Sequence, residues 1–309
     1  MAKIVVIGAG AVGATVGYTL MVSKMVTELV FIDIDKARAE GEAMDISDGT
    51  PFTGPIKIYA GEYTDCKGAE MVIFAAGANQ RPGESRLDLV ERNLRVVKDV
   101  MGKLLRHWGG GVLLMVTNPV DVLTYAVHKL TGLPAGMIFG SGTVLDSARF
   151  RHLLSLHARV DTRNVHAYVV GEHGDSEVFL WSRADIAGIH IDEFCERRGV
   201  PVPDRKFIAS RVRNAAAEII NRKGATYYGV SLAVRRICEA VLRDQHSVLT
   251  VTGLIDGQYG IKGTCLSLPC IIGKRGRLRV LELPLADNEE STLRHSASIL
   301  QEIQKGVGL

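Results

Sequence analysis

Through the first 140 residues, short apolar, β-branched runs alternate with longer stretches in which apolar residues recur at helical spacing. Ile4–Ile7, Leu29–Ile32, Ile56–Tyr59, Met71–Ala75, Val112–Val116 and Met137–Phe139 read as strands, several of them apolar throughout. Strands without a polar face are buried on both sides, as in a parallel sheet covered by helices. Between them Val12–Met21, Lys36–Ile46, Arg86–Arg106 and Val120–Leu130 read as helices. This alternation predicts a Rossmann-type, doubly wound parallel sheet, an α/β domain over residues 1–142.

Beyond that point the rhythm changes. A helix pattern at Val144–Ser155 leads into a strand at Val165–Val170, followed by helices near Arg205–Asn221 and Val230–Arg243. Three hairpin-like strands (Ser247–Leu254, Thr264–Ile272, Arg277–Leu283) and an amphipathic helix, Asp287–Lys305, complete the chain. Residues 143–309 are therefore expected to form an α+β substrate-binding and catalytic domain with antiparallel strands.

Composition narrows the class. A chain 47% hydrophobic and 23% charged folds in an ordinary way, and a net charge of +3 gives no argument for a nucleic-acid or membrane partner. The basic group Lys274-Arg275-Gly276-Arg277 reads as a solvated turn. Five cysteines without metal-ligand or disulfide spacing read as buried thiols in a reducing cytosol, and no metal is expected. The apolar run after Lys3 is too short for a signal core or a membrane span, so a cytoplasmic location is expected.

Candidate chemistry begins at Gly8-Ala9-Gly10-Ala11-Val12-Gly13, a Gly-x-Gly-x-x-Gly between a strand and a helix. Its glycines permit a tight turn and let backbone N–H groups approach a pyrophosphate at the positive helix end. Asp33 lies twenty residues beyond Gly13, at the end of the second strand. A carboxylate there accepts from both ribose hydroxyls and repels a 2′-phosphate, which favours NAD over NADP. Further on, Asp146 and Arg149 share one helix face, His173 sits in Gly-Glu-His-Gly-Asp, and Gly77–Arg86 forms a polar loop after the fourth strand. Taken singly these are a surface ion pair, a structural histidine and an ordinary loop; together they describe a cofactor carrier, a carboxylate clamp, a proton carrier and a lid.

These segments, with Thr117-Asn118-Pro119-Val120-Asp121 and Lys223-Gly224-Ala225-Thr226, resemble the L-lactate dehydrogenases of the lactate/malate dehydrogenase superfamily over nearly the whole chain. The resemblance implies that His173 exchanges a proton with pyruvate or L-lactate and Asp146 holds the imidazole. It makes Arg149 the grip on the substrate carboxylate, Arg86 the group that polarises the carbonyl, Asn118 an orienting residue and Thr226 a wall of the pocket. It assigns NAD to Gly8, Gly10, Val12, Gly13, Asp33, Arg38, Tyr63, Gly77, Ala78, Val116, Thr117 and Asn118.

Gln80 separates the two branches, because malate dehydrogenases carry Arg at the equivalent position. A buried second carboxylate without a cation is costly, and a neutral Gln suits the methyl of pyruvate. Neighbouring Arg81 is expected to point elsewhere. Arg151 and His166 match positions that bind fructose 1,6-bisphosphate in the allosteric bacterial enzymes, which also implies a homotetramer. A malate or broader 2-hydroxyacid dehydrogenase and a non-catalytic NAD-binding protein are the alternatives; the second predicts losses among His173, Asp146, Arg149 and Arg86, and all four are present.

Overall fold

The computed structural model describes residues 2–78 and the chain from residue 86 onward, without the Arg86 side chain. Gln80, Arg81 and most of the proposed lid therefore lie outside the described residues. The first part of the chain builds β1 (Lys3–Ile7), α1 (Ala11–Val22), β2 (Glu28–Ile32), α2 (Lys36–Asp48), the short α3 (Thr50–Thr53), β3 (Lys57–Ala60) and β4 (Met71–Phe74). It continues through α4 (Arg86–Leu104), β5 (Val112–Met115), α5 (Val120–Thr131) and β6 (Ile138–Gly140). Each predicted strand and helix is present to within a few residues. Strands β1 to β6 pair in parallel in the order 3-2-1-4-5-6, the doubly wound arrangement.

Local chemistry sets the ends of these elements. Asp35 caps α2 by accepting from the Arg38 N–H, and Gly132 at φ +60° closes α5. Along α4 the buried residues Val90, Leu94, Val97, Met101 and Leu104 follow the helical repeat and face the sheet.

The second part comprises α6 (Val144–Ala158), β7 (Val165–His166), β8 (Val169–Val170), β9 (Val178–Phe179), β10 (Asp185–Ile186) and β11 (Ile189–His190). Helices α7 (Ile191–Arg197), α8 (Arg205–Lys223) and α9 (Tyr228–Leu242) follow. Strands β12 (Ser247–Asp256), β13 (Lys262–Gly273) and β14 (Gly276–Val280) precede the final helix α10 (Asp287–Gly306). Two readings change here. The strand expected over Val165–Val170 is broken: β7 pairs with β10 whereas β8 pairs with β9. The three hairpin strands are antiparallel as expected, but they extend the parallel sheet to nine strands, with β12 against β6 through Thr252 and Gly140. Sequence periodicity reports which face of a strand is buried, not which neighbour it pairs with.

A third change concerns the basic turn. Lys274 and Arg275 are exposed as expected, but Arg277 is buried and donates from Nη2 to the Leu254 carbonyl at 2.7 Å. The main core covers both faces of the long sheet, and a second core gathers Phe150, Leu154, Phe179, Trp181 and Ile208 beneath α6 and α8. The Phe150 ring meets Phe179 and Trp181 edge-on at 5.2 and 4.8 Å.

Phe139 is fully buried on β6, the strand that joins the parallel and antiparallel halves. Phe139→Ala should cost about 3–5 kcal/mol, seen as a lower urea midpoint with an unchanged slope. A loss under 1 kcal/mol would mean that this seam is not packed as described.

Candidate active site

The Gly-rich turn connects β1 to α1 at the carboxyl edge of the sheet, where open α/β sheets bind ligands. Gly8 takes φ +101°, and a Cβ on Gly13 would lie 1.8 Å from the Gly8 carbonyl oxygen, so neither position admits a side chain. Above Gly10 the space is open, and the N-terminus of α1 has no side-chain cap. Asp33 reaches back to this turn: its Oδ2 accepts from the Ala9 N–H at 2.6 Å and its Oδ1 from the Asp35 N–H at 2.9 Å. Uncapped amides, an open cradle and a carboxylate with lone pairs to spare fit a dinucleotide.

Asp33 and Tyr63 line one cavity of about 350 Å³, together with Ile32, Gly61 and Lys36. Burial pushes the Tyr63 hydroxyl up to about 12, so it stays a neutral donor. Arg38 stands exposed in the first turn of α2, outside that lining. Val12 packs against the core, and Val116 is buried at the end of β5.

Gly77, Ala78, Thr117 and Asn118 meet where β4 and β5 end. The Thr117 hydroxyl donates to the Ala76 carbonyl at 2.8 Å, and a Cβ on Gly77 would strike the Thr117 methyl. Asn93, buried on α4, ties these ends together. Its Oδ1 accepts from the Ala78 N–H at 2.9 Å and its Nδ2 donates to the Asn118 carbonyl at 2.8 Å. Asn118 itself is exposed and precedes the cis peptide to Pro119.

The catalytic candidates converge on one carboxylate. Asp146, in the first turn of α6, binds His173 Nδ1 through Oδ2 at 2.6 Å and Arg149 Nη1 through Oδ1 at 3.0 Å. Its side chain is 3% exposed, whereas Arg149 is 17% and His173 26% exposed, so both partners reach solvent. Burial opposes the Asp146 charge, but His173 and then Arg149 outweigh it and hold the acid below the usual carboxylate range. Desolvation likewise opposes a charged His173; the Asp146 carboxylate, its hydrogen bond, and the charges of Asp121 and Glu177 overcome it and push the ring up to about 9.

The backbone at His173 is positioned from the sheet. Its N–H donates to Asp121 Oδ2 at 2.8 Å, and the other oxygen of this buried acid accepts from the Thr252 hydroxyl on β12. Gly171 and Ser267 exchange two backbone hydrogen bonds of 2.9 Å, fastening the turn that carries His173 to β13. Glu172 accepts from the Ser176 hydroxyl, and Ser176 meets Ser296 of α10 at 2.9 Å. Sequence reasoning assigned no role to Asn93 or Asp121, although Asp121 closes the Thr117–Asp121 motif; Asn93 was marked only as a polar residue inside an otherwise apolar helical stripe.

Thr226 is half-buried in the turn between α8 and α9; at Gly229, in the first turn of α9, an added Cβ would stand 3.1 Å from Leu145 of α6. Arg151 follows on α6, partly buried, with Nε donating to the Ser147 carbonyl at 3.3 Å. His166 is exposed on β7.

With its proton held by a carboxylate, the His173 imidazole is expected to titrate near pH 9 in the free protein. Asp146→Asn should move that titration to lower pH, read from the His173 ring signals by NMR. An unmoved titration would mean that Asp146 does not set the ring's proton affinity.

Residues 2–140 match the lactate/malate dehydrogenase NAD binding domain, and residues 143–308 match the lactate/malate dehydrogenase alpha/beta C-terminal domain. The L-lactate dehydrogenase of Acetivibrio thermocellus is 52% identical over 305 residues, covering 98% of this chain and 96% of that protein. That of Thermoanaerobacterium saccharolyticum is 50% identical over 307 residues, covering 99% of each. Among solved structures, the minor L-lactate dehydrogenase of Enterococcus mundtii superposes with a TM-score of 0.96 at 37% identity, over 100% of this chain and 99% of that one. The L-lactate dehydrogenase of Clostridium thermocellum does so with a TM-score of 0.90 at 42% identity, over 100% of both. Sheet order, the acid–imidazole pair and full-length similarity agree: the chain belongs to the lactate/malate dehydrogenase family.

Proposed function

We propose that this enzyme interconverts pyruvate and L-lactate with NADH and NAD, and that His173 carries the proton. The observation that supports this most directly is the buried Asp146 carboxylate, which joins His173 to Arg149. The activity is that of an NAD-dependent L-lactate dehydrogenase.

When bound, NADH supplies the hydride that reaches the carbonyl carbon of pyruvate. His173 presents Nε2, the nitrogen not engaged by Asp146, and gives its proton to the carbonyl oxygen. The same ring, then neutral, takes the hydroxyl proton in lactate oxidation. Asp146 keeps Nδ1 protonated and stabilises the imidazolium. Arg149 has one Nη bonded to Asp146 and retains donors for a two-point grip on the substrate carboxylate, which lysine could not reproduce. Arg86 is assigned to polarise the carbonyl as negative charge develops, Asn118 to orient the substrate, and Thr226 to line its methyl side. Gln80 leaves no cation for a second carboxylate, which favours pyruvate over oxaloacetate.

The finer reading is a cytoplasmic homotetramer activated by fructose 1,6-bisphosphate. Exposed apolar side chains support self-association: Met44, Phe52, Tyr228 and Leu232 are 70%, 88%, 65% and 61% exposed on α2, α3 and α9, and α1 packs against all three helices. Arg151 lies five residues after Asp146 on the same helix, so a polyanion gathering Arg151 and His166 with their symmetry copies would act on the element that carries the catalytic acid. All five cysteines are buried free thiols, in keeping with a reducing compartment. No helix of the described residues is long and apolar enough to cross a membrane.

NADH oxidation with pyruvate and with oxaloacetate, each with and without fructose 1,6-bisphosphate, tests the reading. Pyruvate should be the faster substrate, and the bisphosphate should lower its apparent KM. Faster oxaloacetate reduction would defeat the lactate assignment, and identical pyruvate curves would defeat the activation. His173→Ala should lower kcat by about 10²–10⁴-fold while NADH still binds; full turnover in that variant would remove His173 from the mechanism.

A further inference from the structure

One ionisable group beside the catalytic pair has no part in the chemistry above. Glu177 follows His173 by four residues in the same turn, its N–H donating to the Gly174 carbonyl at 3.3 Å. Its side chain is only 3% exposed, and among the described residues Oε1 has no hydrogen-bond partner. A buried carboxyl left in that state has lost its hydration without a full replacement, so its neutral form is favoured.

Arg213, on α8, brings a cation within ion-pair reach. The guanidinium Nε stands 4.0 Å from Glu177 Oε1, while Nη2 donates to the Glu177 carbonyl at 2.9 Å and the group lies over the Phe179 ring at 5.1 Å. The cation is thus held by other contacts, near enough to attract a carboxylate but not bonded to one. On this side Glu177 and Arg213 line a cavity of about 550 Å³ with Arg205, Lys206 and Ser210, which gives the carboxyl a route to solvent protons. The charges of Asp146 and Arg149 on α6, and of His173 four residues earlier, also act on it.

We propose that Glu177 is a positioning residue for proton transfer: a buried carboxyl with one bare oxygen, whose charge state sets how firmly His173 holds its proton. The inference rests on His173 being the proton carrier. Burial, reinforced by the Asp146 charge, pushes Glu177 up to about 8, against the pull of His173, Arg213 and Arg149. The charge on Glu177 in turn is one of those that raise His173. Pyruvate reduction requires the protonated ring. As pH climbs past 8, the new carboxylate strengthens the hold on that proton, and reduction persists to higher pH than Asp146 alone would allow.

Glu177→Gln keeps the shape and removes the titration. The expected result is an alkaline limb of kcat/KM for pyruvate displaced to lower pH. The ratio of activity at pH 9.5 to activity at pH 7 should fall by about 3–10-fold relative to the parent enzyme, the size of a shift of half to one pH unit. The His173 ring titration, followed by NMR in the same variant, should move in the same direction. If neither the limb nor the ring titration moves, the proposal is overturned. If the ring titration moves but the kinetic limb does not, Glu177 acts as described and His173 is not the kinetic proton carrier. Should the Gln variant fail to fold, Arg213→Gln serves instead. The carboxyl then stays neutral to higher pH and the limb must again move to lower pH; an unmoved limb overturns the proposal.

Discussion

The site depends on one sealed carboxylate. Asp146 is almost wholly withdrawn from water, and a lone ion there would be costly; two partners, each on a different oxygen, make the charge tolerable. That arrangement fixes the tautomer of His173, orients Arg149 and, in the proposed reaction, couples the proton and the substrate carboxylate through one group. The two partners are not equivalent. The imidazole is engaged by one nitrogen and keeps the other for chemistry, whereas the guanidinium has donors in excess and loses little by giving one away.

Such a carboxylate needs rigid surroundings, and the second half of the chain supplies them. Hydroxyls of Thr143, Ser147, Thr250, Thr252 and Ser267 form a buried polar layer between α6 and the β12–β13 hairpin. Each makes at least one hydrogen bond, so the layer specifies a single alignment of helix against sheet. Because β12 also pairs with β6, that alignment passes directly to the sheet whose other strands bear the Gly-rich turn and Asp33. The Gly-rich turn and the His173 turn are therefore registered on one continuous sheet. A flexible junction between two lobes would not hold hydride donor and proton donor to the tolerance that reaction geometry demands.

Charges around His173 are graded by depth and partner. Asp146 is fully paired and stays ionised; Asp121 is engaged by a backbone N–H and a hydroxyl; Glu177 has a cation 4.0 Å away and one oxygen without a hydrogen bond. Three carboxyls near one ring would repel one another if all were ionised. Unequal solvation resolves the conflict, since the least satisfied acid keeps its proton longest.

Much of this was legible in the chain alone. Apolar runs at Val112–Val116 and Met71–Ala75 marked buried parallel strands, because a two-faced burial leaves no polar position to alternate. Gly8, Gly13 and Asp33 marked the cradle through local backbone needs, and the order of short motifs marked the family. Tertiary structure alone decided the rest. Asn93 and Asp121 act across separations that no periodicity encodes, Arg277 is drawn inward by a carbonyl of another strand, and β12 chooses β6 as its neighbour. Sequence pattern reports which side of an element is dry. Which polar groups share that dryness, and so which charges persist there, is settled only when distant segments pack together.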